Sequence, residues 1–203
     1  MLGAIVAALV AVASAPAVAQ AAGARFSVGA AAKSFTPPPA GAAGADAADC
    51  LPSGGNAAFD GPRPFAFEEP YVDQQSSGHY DLGDPFVDCN QDGRWDGNFL
   101  GGGADTPRYY DRVADDVGAR ALVVSNAGRT IAIEVVDQEG LFNVYADRIR
   151  DRVRADGYQI DNVQISATHD ESAPDTLGLG GASSASSGVD RYFVDYLVGQ
   201  SAK

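Results

Sequence analysis

Positive charge, histidine and cysteine are all scarce in this 203-residue sequence, and each scarcity narrows what the chain can do. Fourteen Lys and Arg stand against 27 Asp and Glu, for a formal net charge of −13. Between Asp46 and Asp116 fifteen acids face only Arg63, Arg94, Arg108 and Arg112. Such a surface repels nucleic-acid phosphates and anionic lipid, which argues against both as partners. The two cysteines, Cys50 and Cys89, do not form a C-x-x-C pair, which disfavours a thiolate metal site. No internal repeat is present. Gly101-Gly102-Gly103 is not followed by Gly-Lys-Ser/Thr and so is no phosphate loop. Ser172 lacks the G-x-S-x-G surroundings of a hydrolase nucleophile. Arg148, Arg150, Arg152 and Arg154 interleave with Asp147, Asp151 and Asp156, the pattern of a salt-bridged solvent face rather than of a binding patch.

What is present begins with an apolar leader. Leu2 to Val18 is an almost unbroken run of Ala, Val, Leu and Ile, and Ala17-Val18-Ala19 reads as a small-x-small cleavage site. The run is short for a membrane span and fits a secretory signal peptide over residues 1–21, although no Lys or Arg precedes it. A buried Ala-rich helix is the alternative, and nothing amphipathic in the run supports it. Export places the chain outside the cell, where a single cysteine pair is most simply a disulfide. Closing the loop between Cys50 and Cys89 restricts the unfolded chain by roughly 3–4 kcal/mol in the loop-entropy account.

Residues 25–203 read as one α/β unit. Arg25 to Thr36 forms a first strand, stopped by Pro37-Pro38-Pro39. From about 40 to 112 the chain is rich in Gly, Pro, Asp and Ala with little periodicity, an irregular acidic loop that a disulfide or a bound ion could order. Ala119–Ser125 and Thr130–Asp137 are β-branched runs around Asn126-Ala127-Gly128, a hairpin signal. Phe142, Tyr145, Ile149 and Val153 recur at helical spacing, and Gly157 ends that helix. Asn162–Thr168 is another strand. A last helix carries Val189, Tyr192, Phe193, Tyr196 and Leu197 on one side. The expected fold is a mixed sheet with a βαβ unit flanked by helices, preceded by the long disulfide-closed loop. Strand, helix, strand over 130–168 requires parallel pairing, which sets Asp137 and His169 just past the carboxyl ends of two strands, where open α/β sheets bind ligands.

His169 is one of two histidines, in a polar loop straight after an apolar strand, and is the leading candidate zinc ligand. Asp137 and Glu171 are expected to line the same edge, with Glu139 in reach. A histidine that merely caps the strand end is the bland alternative. A second candidate is Asp88-Cys-Asn-Gln-Asp-Gly-Arg-Trp-Asp96, similar to the start of an EF-hand or dockerin loop. There Asp88, Asn90, Asp92 and Asp96 could hold calcium, and Gly93 permits the turn; the twelfth position is Phe99 rather than a bidentate acid, so a plain Asx-rich turn is the alternative.

Asn162-Val-Gln-Ile-Ser-Ala-Thr-His169 leading into Ser172-Ala-Pro174 resembles the T-H-T-H-S-G/A-P segment of the neutral/alkaline non-lysosomal ceramidases. Val28 to Pro37 resembles that family's V-G-x-x-x-x-D-I-T-P strand, and the strand ending at Asp137 before Gly140-Leu141 also fits its pattern. The resemblance covers about 25–37 and 119–198. It implies a zinc-activated water that hydrolyses the amide bond of ceramide or of another small or lipid amide. The family's zinc is held by two histidines, a glutamate and a tyrosine. Only the first of these maps onto the chain, at His169, and Glu171 stands where the family has its second histidine. The expectation is therefore an N-terminal segment of a secreted, zinc-dependent, ceramidase-like amidohydrolase whose remaining ligands lie downstream and which is inactive alone. The alternative is a secreted, calcium-stabilised binding or structural domain without catalysis.

Overall fold

The computed structural model describes residues 25–42, 48, 50–51, 57–103, 107–110 and 112–203. The signal-peptide reading falls on residues 1–21, outside them. Among the described residues no helix is long and apolar enough to cross a membrane.

Four strands form one mixed sheet in the order β1-β2-β3-β4: β1 Ser27–Ser34, β2 Gly118–Asn126, β3 Arg129–Val136 and β4 Asn162–Ala167. β2 and β3 form the expected antiparallel hairpin, in which Ala127 and Gly128 adopt the positive φ values (50° and 80°) of a tight turn. β3 and β4 are adjacent and parallel, pairing Ile131 with Asn162 through Val136 with Ala167. β1 pairs antiparallel with β2. The irregular segment lies between β1 and β2, ahead of the βαβ unit.

The crossover from β3 to β4 is α1, Asn143–Ala155. Its buried positions Ala146, Ile149 and Val153 repeat at helical spacing, and Arg152 and Arg154 occupy the last turn, where they oppose the helix dipole. Full burial of Ile149 alone is worth about 1.5–3 kcal/mol. Phe142, read as part of the apolar stripe, instead precedes the helix and stays half exposed. The remaining faces carry the expected ion pairs, among them Arg150–Asp147 at 2.7 Å and Arg152–Asp156 at 3.0 Å. α2, Arg191–Ser201, is capped by Asp190, whose carboxylate accepts from the Phe193 N–H at 3.0 Å. Both helices lie over one face of the sheet, around a core that includes Phe35, Val136, Ile149, Phe193 and Leu197. The other face carries Val28, Leu122, Ile131 and Ile133, all more than two-fifths exposed, and no described helix covers it.

Between β1 and β2 the chain builds a second, aromatic core from Tyr71, Tyr80, Trp95 and Phe99. Tyr80 stacks on Trp95 at 4.4 Å, and Tyr71 and Phe99 meet Trp95 edge-on. Trp95 and Phe99 therefore anchor their loop within this core rather than in the core under the helices. Cys50 and Cys89 form a disulfide with Cα atoms 5.6 Å apart. Buried Glu69 accepts from the N–H groups of Cys89 (2.8 Å) and Asp96 (3.0 Å), and its carbonyl takes the Trp95 indole N–H (2.8 Å). Single bridges such as Leu100 with Pro174 fasten the segment to the loop that follows β4.

Candidate metal centre

The parallel pair β3–β4 continues beyond its last residues. Thr168 N–H donates to the Val136 carbonyl (3.0 Å) and Asp170 N–H to the Gln138 carbonyl (3.0 Å). His169 lies between these two bonds with φ 65°, in the left-handed region that few non-glycine residues adopt and in which histidine is enriched. Holding it there costs of the order of 1 kcal/mol, a strain of the kind found at functional sites.

The result is a convergence of three ligand-bearing side chains. The ligand atoms of Glu139, His169 and Glu171 all lie within 4.8 Å of one another. His169 Nε2 stands 3.3 Å from Glu171 Oε1. Two ligands on a tetrahedral zinc ion with bonds of 2.0–2.1 Å sit about 3.3 Å apart, so the pair already has the spacing of one tetrahedral edge. One imidazole nitrogen and two carboxylates are also donors that zinc accepts. His169 and Glu171 are open to solvent, with side-chain exposures of 73% and 54%.

The supports of this cluster come from the irregular segment. Gly102 N–H donates to Glu139 Oε2 at 2.7 Å. The Arg108 guanidinium donates to the Glu171 carbonyl (2.8 Å) and to the Gly101 carbonyl. A Cβ at position 101 would meet Glu139 Oε2 at 2.7 Å, and one at position 102 would meet Glu171 Cβ at 2.8 Å. The glycine run, no phosphate loop, is thus the strip of backbone that lets the segment press against both carboxylates. The next residues of the site loop, Asp170, Ser172 and Pro174, line a neighbouring open cleft of about 440 Å³ together with Thr36 and Tyr110.

Asp137 goes elsewhere. Its carboxylate takes the Arg120 guanidinium at 2.8 Å and the Gly118 N–H at 3.0 Å, fastening the carboxyl end of β3 to β2. Glu139, two residues on, faces His169 instead.

In the candidate calcium loop, Asp88 accepts from the N–H groups of Asp92 (3.0 Å) and Gly93 (2.8 Å), and Gly93 has φ 84°. The Asn90 amide donates to Asp96. Arg94 pairs with both Asp92 (3.2 Å) and Asp96 (3.0 Å), and Arg191 with Asp92 (3.1 Å). Arginines thus neutralise Asp92 and Asp96, and Asp88 is taken up by backbone N–H groups, in the pattern of an Asx-rich turn. The other acidic convergence among the described residues is Asp73, Asp81 and Asp84. Asp73 there accepts from Ser77 and Gly78 N–H, and Asp84 from Gln74 and Asp81 N–H, the bonds of two turns. His79 stacks on Tyr109 with ring centroids 3.9 Å apart and does not join His169.

Compared with known proteins, the chain matches no family model, and no curated protein matches its sequence.

Proposed function

We propose that this chain carries the zinc centre of a secreted amide hydrolase, with Glu139, His169 and Glu171 as its ligands. The observation behind this reading is the convergence of those three side chains past the carboxyl ends of a parallel strand pair, on a loop strained at His169. When bound there, zinc supplies a coordinated water of pKa about 7 and polarises a carbonyl oxygen. The chain's own groups set the stage. Gly102 N–H orients Glu139, Arg108 pins the backbone at Glu171, and the open cleft along Asp170 and Ser172 gives room for an acyl or amine portion beside the ligands.

An amide substrate rests on the resemblance of 162–174 and 28–37 to the neutral ceramidases. Glu171 takes the place of that family's second histidine, so a carboxylate oxygen replaces an imidazole nitrogen. The calcium-stabilised alternative has less support, because Arg94 and Arg191 hold Asp92 and Asp96.

Calorimetric titration with zinc tests the reading. One equivalent should bind, and His169→Ala or Glu139→Gln should weaken it about ten-fold or more, equivalent to at least 1.4 kcal/mol. Zinc binding that neither substitution alters would sink the proposal.

A further inference from the structure

The helix-covered face of the sheet is not filled completely. Beneath the carboxyl ends of α1 and α2, small residues at Gly29, Ala31, Ala121 and Ala132 leave an open groove of about 300 Å³, walled by Val153, Ile160 and Val163. A Cβ added to Gly29 would meet nothing within 4 Å. Ala132 and Val163 lie near the amino ends of β3 and β4, so this groove is at the opposite edge of the sheet from Glu139 and His169.

The groove is apolar but its floor is not. Glu134, 2% exposed, points from β3 into it with Oε1 unpartnered. Ser201 Oγ lines the same space, close enough to the Glu134 carboxyl to donate to it. A small adjoining cavity shares Glu134 and Ser201 and adds Gln200, whose Oε1 is a second buried acceptor without a hydrogen bond. A buried acceptor without a partner is costly, most of all when it is charged, unless a donor reaches it. A primary ammonium offers three donors and the complementary charge.

We propose that this groove binds a small hydrophobic primary amine, its ammonium among Glu134, Gln200 and Ser201 and its hydrocarbon body against Ala121, Val123 and Val163. The other titratable groups around it are Lys33 from β1, Lys203 beyond α2 and Tyr158 after α1. Lys33 and Lys203 are exposed and make no ion pair among the described residues, so solvent and salt screen them, whereas the Glu134 carboxyl is shielded. Burial pushes that carboxyl up to about 7, while an alkylammonium stays charged to about pH 10. Binding is therefore tightest near pH 8–9 and fades as pH falls through about 7.

Calorimetry on the full chain at about pH 8.5, with hexylamine, hexanol and hexanoate as probes, decides the matter. Hexylamine should bind about ten-fold or more tightly than either other probe, and Glu134→Gln should erase that preference while leaving the weak hexanol binding. Val123→Phe, which narrows the groove from β2 and keeps Glu134, should abolish binding of all three. Hexylamine binding no tighter than hexanol, or a preference that survives either substitution, would overturn the proposal. Zinc plays no part in these readouts, so they stand or fall apart from the metal centre.

Discussion

His169 shows how far single residues could be read. Its type and its place after an apolar strand marked it, and the parallel pairing of β3 with β4 put it at the edge where ligands bind. Its partners were harder to tell apart, because Asp137 and Glu139 are both carboxylates just past the same strand. Asp137 is drawn to Arg120 across the hairpin, a non-local pairing that strand register alone decides. Glu68 shows what sequence does not reveal. It is 6% exposed, its carboxylate accepts from Phe65 N–H at 3.0 Å, and desolvation pushes its pKa from 4.5 up to about 7. Between those values the folded chain holds a proton that the unfolded chain has released. The stability linked to this group is full below about pH 4.5 and is lost as pH rises through about 7. That loss amounts to about 3 kcal/mol. Urea unfolding at pH 5 and pH 8 should show the wild type weakening over this interval, and Glu68→Gln should make the drop smaller by Glu68's share, leaving the shares of Glu69 and Glu134, which burial also raises to about 7. An equal drop in the variant would contradict the assignment.

At the scale of elements, the second half of the chain was legible because its signals are local. β-branched apolar runs around a turn signal gave β2 and β3, helical spacing gave α1, and the order of strand, helix and strand gave the parallel pair. The segment from 40 to 112 was not, since its order comes from contacts distant in sequence: buried Glu69 collecting N–H groups near Cys89 and Asp96, an aromatic core, and a disulfide spanning 39 residues. For the same reason the service of Gly101 and Gly102 to a site more than thirty residues away was invisible. Gly102 has φ 71° and faces Glu171, whereas Gly128 has φ 80° with nothing within 4 Å of its missing Cβ. Gly102→Ala should displace Glu171 and weaken zinc binding roughly ten-fold, whereas Gly128→Ala should carry only the backbone strain of about 1 kcal/mol and leave zinc affinity unchanged. Equal zinc affinity in the two variants would remove the glycine strip from the account of the site.

At the scale of the whole molecule, charge and function are segregated. The acids of the inserted segment are spent largely on turns, on Arg94 and on Arg191, while the three candidate ligands stand together at the sheet edge. One face of the sheet is covered by α1 and α2. On the other, β2 and β3 present Leu122, Ile131 and Ile133, the two-sided apolar pattern of strands that commonly lie between two layers. The mixed sheet, the βαβ unit and the disulfide were all readable in advance. The uncovered face was not, because a strand's own pattern does not say what packs on it.

In the proposed zinc centre His169 binds through Nε2, beside Glu139 and Glu171. The chain has only two histidines, so their ring nitrogens can be followed separately by ¹⁵N NMR. One equivalent of zinc should shift His169 Nε2 strongly and leave His79, stacked on Tyr109, unchanged. A zinc-induced shift at His79 with none at His169, or no change at either ring, would contradict the account.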